Sequence, residues 1–474
     1  MNKLLLAIRK VEVGIFDNDL DAYTPELWAA ESLILLTENS VFANLIHRNF
    51  SEVIAQHGDV VNTRRPRKMA YNRKRRNNDI TIQDAIADNV QVPLNQHVQI
   101  SFAIEDIDIT LSMEDLVTTY LSPASEAAIK GVDQSIATFM VANFLDNSVG
   151  SLGTAIGKST INALNERFNN NSVPKGGREL VLPTSQEADL LDVGDFTKVD
   201  SITEGGVALR EASLGRLLSF NTYMDQNSPN YDNTVIDSDG TVDGAHAAGV
   251  VSIATTAASF TVTPVAGQWI KIEGDDTPLL VAAFAADVLT LVNPLKCPIA
   301  DLAAITTYAV GAVNLAAGYA NGWDGAITID GVAAAPAAGS LTSFGVDYTR
   351  KYGIVNGVDD NGVPNPSTTS ILLNDVLGNA AADNTTVGFG PSGSYGLAFH
   401  RNAIGMVSRP LAAPPQGVGV SSATVNANGV TMRATIGYDI KAQETIVTID
   451  FLFGLALLDA DMGAVVLGAS SSQC

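Results

Sequence analysis

The stretch SPASEAAIKGVDQSIATFMVANFLD at 122–146 decides the fold. Ser122 can cap a helix and Pro123 suits its first turn. Ile129, Val132 and Ile136 then recur at steps of three and four residues, which predicts a helix with one apolar stripe. At 1.5 Å per residue this helix would span roughly 38 Å. Such a helix is long enough to form the spine of a whole domain.

Strands and shorter helices flank the spine. Apolar alternation at 98–104 predicts a strand before it. After it, the pattern predicts a helix at 155–168 and a strand at 178–183. Near the end of the chain, TMRATIGYDI and ETIVTIDFLFGLALL predict two strands joined by the turn KAQ. The stretch YGLAFHRNAIGMVSRPL at 395–411, which precedes these two strands, predicts a strand that runs into a helix.

Residues 228–386 differ in composition from the rest. They contain sixteen acidic residues and only four basic ones. Short alternating runs such as SFTVTPV, VLTLVN and AITTYAV are separated by Gly and Asp turns. This pattern predicts a small β-barrel or sandwich, followed by a looser, turn-rich stretch. Because long helical and strand patterns resume afterwards, we interpret the region as an insertion.

The N-terminal part combines a helical arm with a basic hairpin. Thr24 and Pro25 begin a predicted helix within residues 1–55. Alternation on both sides of a polar centre then predicts a long hairpin. Its arm holds eight of the 28 basic residues: Arg64, Arg65, Arg67, Lys68, Arg73, Lys74, Arg75 and Arg76. The arm could contact nucleic acid, remain a solvated loop, or dock onto the acidic surface of another copy. We favour docking as an inter-subunit contact, because the rest of the chain is strongly acidic.

Composition narrows the class of protein. The chain has 474 residues, 46% hydrophobic and 17% charged, which opposes long disorder. A net charge of −23 disfavours a general nucleic-acid binder. Cys297 and Cys474 are too few for a disulfide framework or a zinc site. Arg9 and Lys10 interrupt the only apolar N-terminal patch, so we predict neither a targeting segment nor a membrane helix.

No motif indicates catalysis or a cofactor. Gly388, Gly390 and Gly393 match GxGxxG, but a strand-like YGLAF follows where a dinucleotide site needs a helix. DSDGTVDG at 237–244 resembles a calcium loop in composition, but it lacks the glycine at position six, so we expect an acidic turn. The histidines form no HxxxH pair. We therefore predict a protein that is not an enzyme and has no catalytic, cofactor or metal site.

The order of segments resembles the major capsid (coat) proteins of tailed bacteriophages, closest to the short-tailed-phage branch with a Hong Kong 97-type fold and an inserted β domain. GDVVNTRRP at 58–66 and the segment at 90–111 are similar to the extended loop of that family and its following strand. The segment at 120–144 resembles the family's spine helix. Further likeness comes from LREASLGRLLSFNTYMDQN at 209–227, and from the segments at 395–411 and 436–459.

The resemblance implies a fold and a role. The α+β fold would have an N-terminal arm, an extended loop, a peripheral domain with the spine helix, and an axial domain. The divisions expected on this basis are 1–55 arm, 56–100 hairpin, 101–227 first core part, 228–386 insertion and 387–474 second core part.

Function follows from the same resemblance. It implies self-assembly into hexamers and pentamers of an icosahedral shell around double-stranded DNA. It also implies scaffolding, portal and decoration partners, no membrane, no sequence-specific DNA binding, assembly in the host cytoplasm, and a final place in the virion. The alternative from another class is a secreted or surface-layer β-rich adhesin, which would need a secretion signal.

Overall fold

The structure is a computed structural model. It describes residues 41–48, 60–66, 73–74, 76, 87–105, 122–194, 214–345, 347–358, 364–414, 420–427 and 430–469. Four α-helices lie in these ranges: α1 Phe42–Leu45, α2 Ser122–Phe144, α3 Lys158–Asn170 and α4 Thr184–Asp192. Short 3-10 turns follow at Leu145–Asn147 and Ala460–Met462. Most of the predicted N-terminal helical arm lies outside the described residues.

Strands dominate the described chain. Before residue 309 they are β1 Val60–Pro66, β2 Ala87–Pro93, β3 Gln96–Glu105, β4 Val149–Gly150, β5 Arg178–Leu182, β6 Arg216–Leu217, β7 Phe220–Met224, β8 Asn230–Tyr231, β9 Val235–Thr241, β10 Ser252–Ala254, β11 Trp269–Ile272, β12 Leu279–Ala285, β13 Val288–Leu291 and β14 Ala304–Tyr308. After it they are β15 Val310–Val313, β16 Ile327–Asp330, β17 Leu341–Phe344, β18 Asp347–Val355, β19 Gly357–Val358, β20 Pro364–Asn365, β21 Ser370–Leu373, β22 Thr386–Phe389, β23 Gly393–His400, β24 Ile404–Ser408, β25 Val420–Ala427, β26 Val430–Asp439, β27 Glu444–Leu457 and β28 Gly463–Gly468. The class is α+β, with β structure in excess.

Two sheets form the core around α2. One contains β24, β27, β26 and β25 in that order, with β3 also paired to β27. The other has the order β4-β28-β23-β5-β7-β6, with β8 paired to β23. Side chains of α2 such as Ile136 and Val141 pack in one buried cluster with Phe399 of the second sheet and Phe451 of the first. The spine therefore joins both sheets, and α3 and α4 cover a separate cluster on the second sheet.

Asp133, in the middle of α2, fixes the N-terminal side of the described chain. Its carboxylate is 1% exposed and accepts the backbone N–H of Val41 at 3.0 Å and of Ala43 at 3.4 Å. The first N–H groups of a helix have no partner within that helix. A buried carboxylate from α2 therefore satisfies the start of α1.

The inserted region forms two six-stranded units. The first has the order β10-β13-β12-β11-β14-β9, and its two edges meet through the Val242–Thr255 bridge. The second is a closed barrel, β15-β16-β21-β18-β17-β22. Each unit has its own buried cluster, centred on residues such as Ile270 and Phe389. The chain enters and leaves the region side by side, because Tyr231 of β8 pairs with Gly393 of β23.

The prediction of a looser, turn-rich stretch at the end of the inserted region is wrong, because strands between β15 and β22 form a closed barrel there. Its strands are short, and β16 alternates buried Ile327 and Ile329 with exposed Thr328 and Asp330. The barrel closes where Val310 of β15 pairs with Gly388 of β22. Pairing over such a sequence distance leaves no local signal, whereas the Gly-rich connections between the strands resemble loops.

Two shorter predictions are also wrong. The helix expected to end at Pro410 is β24, whose Ile404 pairs with Leu457 of β27. Gly405 lies inside that segment, and glycine weakens a helix, so pairing with β27 prevails. The run at 259–265 is not a strand. Instead, the Val262 N–H donates at 2.7 Å to the carboxylate of Asp237, which lies in β9 and not in the acidic turn expected at 237–244.

Candidate assembly surface

The basic hairpin forms a sheet of its own. β1 and β2 pair with each other in antiparallel register and with no other described strand. The hairpin is anchored at its base, where Val92 is fully buried against Val407 of β24 and Ala456 of β27. An isolated two-stranded hairpin is marginally stable in water. The structure therefore presents a two-stranded ribbon that is held to the core through Val92 and pairs with no other described strand.

The structure distributes the predicted contact residues along this ribbon. Arg64 and Arg65 lie on β1, opposite Asn89 and Asp88 of β2. Arg73, Lys74 and Arg76 near the tip are exposed. The remaining three predicted residues, Arg67, Lys68 and Arg75, lie outside the described residues.

The surface of the inserted region is acidic. Its described part exposes nine carboxylates: Asp232, Asp239, Asp243, Glu273, Asp287, Asp301, Asp324, Asp330 and Asp383. Its four basic side chains instead turn their charged ends toward the core or toward carboxylates next to it. The region therefore sorts charge by side, with cations toward the core and anions outward.

The contact of the inserted region with the end of α2 is a charged seam. Lys351 Nζ lies 2.8 Å from Asp146 Oδ1, and the Asn293 amide donates to the same oxygen at 3.1 Å. The ammonium of Lys296 donates to the Leu145 carbonyl at 3.3 Å. Carbonyls at a helix C-terminus carry partial negative charge and favour nearby cations. The seam thus uses both a carboxylate and the end of the helix.

Two further contacts extend the seam. Lys271 Nζ donates to the Leu152 carbonyl at 3.2 Å and lies 3.1 Å from Asp276 Oδ1. Within the inserted region, Arg350 pairs with Asp375, which also accepts from the Asn95 amide at 2.7 Å. Sequence reasoning missed the seam. The available signal was that an acidic region of this size keeps only four basic residues.

Arg178 is the most enclosed cation of the described chain. Its guanidinium is 1% exposed and donates to neutral oxygens of Pro174, Asn165, Asn169, Val173 and Ser219. It also lies over the rings of two buried phenylalanines of the α3 cluster. Burial lowers its pKa from the usual value. Five donors directed to five oxygens make this residue part of the packing rather than a reactive group.

The glycine motif at 388–393 and the acidic motif at 237–244 form structural hydrogen bonds. Gly388 pairs within the barrel, and the Gly390 N–H donates to the Leu341 carbonyl at 2.8 Å. Burial would raise the pKa of Asp237, but backbone N–H donors including Val262 and Asp239 outweigh it and lower the pKa. Among the residues with described positions, no three His, Cys, Asp or Glu side chains could hold a metal ion together. No helix in the described part has the length and apolar character needed to cross a membrane.

Comparison with known proteins gives structural matches only. No protein-family model matches the chain, and no curated protein matches it. Among solved structures, 57 chains match. A structure from Mycobacterium phage Che8 has a TM-score of 0.43 and 12% identity, covering 90% of this chain and 91% of that one.

Two further matches are capsid structures. The capsid of the cyanophage P-SCSP1u gives a TM-score of 0.42 at 10% identity, covering 91% of this chain and 89% of that one. The mature capsid of bacteriophage PhiM1 gives 0.41 at 10% identity, covering 98% and 93%. The chain is thus similar over most of its length to phage capsid structures. At TM-scores below 0.5 these likenesses are distant, so its function has to be inferred from its own residues.

Proposed function

We propose that this chain is the major capsid protein of a tailed phage, with a Hong Kong 97-type fold. In this proposal, the β1–β2 hairpin is the extended loop and α2 is the spine of the peripheral domain. The seven-stranded sheet with α3 and α4 belongs to the axial domain. The divisions at 55, 100, 227 and 386 are proposed on the same basis. The role is structural and not enzymatic.

The free-standing basic hairpin carries the proposal. Its exposed Arg73, Lys74 and Arg76 extend from the core on a ribbon that pairs with no other described strand. The same molecule exposes an acidic surface on its inserted region. Opposite charges on different surfaces favour a head-to-tail contact between copies, and such contacts close rings when the rotation closes. We therefore propose that the eight basic residues of the arm bind the acidic surface of a neighbouring copy.

The wider biological role extends this proposal. Copies would form hexamers and pentamers of an icosahedral shell in the host cytoplasm, with scaffolding, portal and decoration proteins as partners, and would remain in the virion. The net charge of −23 supports a shell that encloses double-stranded DNA without gripping it, because an acidic wall repels phosphates.

Negative-stain microscopy and sedimentation of the purified full chain test the proposal. We expect rings or shells, with the Arg73→Glu and Arg76→Glu double variant shifted to smaller species. The control variant combines Lys175→Glu with Lys441→Glu, which changes two other exposed cations by the same charge. A chain that stays monomeric at high concentration contradicts the capsid role. Unchanged assembly of the arm variant contradicts only the docking role of the arm.

A further inference from the structure

A cleft of about 600 Å³ lies beside the seam. One wall is α3, which contributes Arg167, and another is the loop after β13, which contributes Lys296. The end of α2 provides Asp146, and Asp275 of the first inserted unit completes the charged lining. The lining of the cleft therefore contains two cations and two carboxylates.

The two carboxylates of the cleft already have hydrogen-bond donors of their own. Asp146 binds the ammonium of Lys351, as the seam shows. Asp275 accepts the Thr277 hydroxyl at 3.0 Å and the backbone N–H of Lys296 at 2.9 Å. Neither carboxylate forms an ion pair with Arg167 or with the Lys296 ammonium within the described chain.

Among the residues with described positions, the two cations, by contrast, donate to neutral oxygens only. Arg167 donates from Nη2 to the Asn147 side-chain oxygen at 2.9 Å. The Lys296 ammonium donates to the Leu145 carbonyl and to the Ser148 hydroxyl. A guanidinium has five N–H donors, so most of those on Arg167 remain available. This differs from Arg178, which uses its whole guanidinium.

The electrostatics of Lys296 agree with this geometry. Burial and then the positive charge of Arg167 lower its pKa to about 8, although Asp146 and Asp275 act in the opposite direction. The protonated ammonium of Lys296 is therefore less stable in the cleft than it would be in water. An anion between the two cations would relieve their repulsion and supply the missing acceptor oxygens.

We propose that this cleft binds a phosphate-type oxyanion between Arg167 and Lys296, either free phosphate or the phosphodiester of a nucleic acid strand. Three or four acceptor oxygens on one small anion suit a guanidinium on one side and an ammonium on the other. The proposal does not depend on shell formation. It also gives a role to Arg167, which the seam does not include, and a second role to Lys296.

Isothermal titration of the full chain with inorganic phosphate at constant ionic strength tests the proposal. We expect saturable binding that is at least tenfold weaker in Arg167→Gln and in Lys296→Gln. Lys271→Gln is the matched control, because it removes a seam cation outside the cleft lining. Equal affinity in all four proteins, or no saturable binding by the wild type, would overturn the proposal.

Two further measurements sharpen the result. Wild-type affinity should fall between pH 7 and pH 9.5 as Lys296 loses its proton, while Lys296→Arg should keep its affinity, since arginine stays charged. Affinity of Lys296→Arg that falls as steeply as that of the wild type would contradict the role of Lys296. A short oligothymidylate titrated in parallel separates the two sources. Competition with phosphate indicates a phosphodiester ligand, and binding of phosphate alone indicates the free anion.

Discussion

The core and the inserted region place their positive charges differently. In the core, Arg178 is enclosed and Arg433 pairs with Asp450, which is 2% exposed. In the inserted region, cations such as Lys351 and Lys271 hold one part of the molecule against another. A cation in the core is thus part of the packing, whereas a cation of the inserted region connects that region to the core. Substitutions should therefore unfold the core but only loosen the seam.

The largest effect is expected at Arg178. Arg178→Met leaves five acceptors without their donor, so the free energy of unfolding should fall by about 3–5 kcal/mol. Urea denaturation measures the loss. Arg216→Met, at an exposed cation, is the control and should change stability by less than about 0.5 kcal/mol. A loss below about 1 kcal/mol for Arg178→Met would remove the distinction between cations of the core and cations of the inserted region.

Arg433 tests the same idea in the other core sheet. Arg433→Leu leaves the buried Asp450 carboxylate without its cation, and we expect a loss of about 3 kcal/mol. The double variant Arg433→Leu with Asp450→Leu should regain most of it, because no buried charge remains. Chemical denaturation of the four proteins in the cycle gives the coupling. Additive losses would show that the pair does not act as a unit.

Asp225 lies where the core chain approaches the inserted region. Burial raises the pKa of its carboxyl, although N–H donors from Asn227 oppose this, and its Oδ2 has no hydrogen-bond partner among the residues that the structure describes. A raised pKa in the folded state means that stability is lost as pH rises above the usual carboxyl range. Asp225→Asn should therefore stabilise the protein at pH 7 by about 1 kcal/mol.

Thermal unfolding of wild type and Asp225→Asn between pH 4 and pH 8 measures this effect. The advantage of the variant should shrink toward pH 4, where the wild-type carboxyl is protonated as well. Asp232→Asn, at an exposed carboxylate, is the control and should give only a small change in stability. An advantage of Asp225→Asn that does not change with pH would rule out titration of this group as the cause.

The smallest effect on global stability is expected at the seam. Asp146 is 67% exposed, so Lys351→Met should lower the free energy of unfolding by only about 0.5 kcal/mol. Hydrogen exchange at residues 145–152 should nevertheless increase, while exchange in β23 stays unchanged. A rise of equal size in both places would mean that the seam and the core open together.

Local patterns predicted the long elements correctly. The stripe through Ile129 and Val132 gave α2, and the alternation around Thr431 and Thr445 gave β26 and β27. Each of these patterns lies within one element. The barrel closure and the strand at Ile404 depend on partners far away in sequence, so no local pattern contains them.

The candidate site divides in the same way. Clustered charge identified the basic arm, and the structure exposes Arg73, Lys74 and Arg76 there. The seam around Asp146 combines residues from three distant segments, each of which is an ordinary polar residue in its own segment. Only the fold brings them together. The docking of the arm on another copy remains a prediction.

The pairing of Tyr231 with Gly393 has a consequence for how this molecule can vary. Partners in antiparallel strands have Cα atoms about 5 Å apart, so the chain leaves the seven-stranded sheet and returns to it at nearly the same point. The backbone between these two residues is joined to the sheet at one point, while Trp269 and Leu341 of the region pack in the core cluster around α2. Loops of the region that lie away from this packing can therefore change in length while the sheet keeps its register. The exterior of the protein can vary there without a change in its interior.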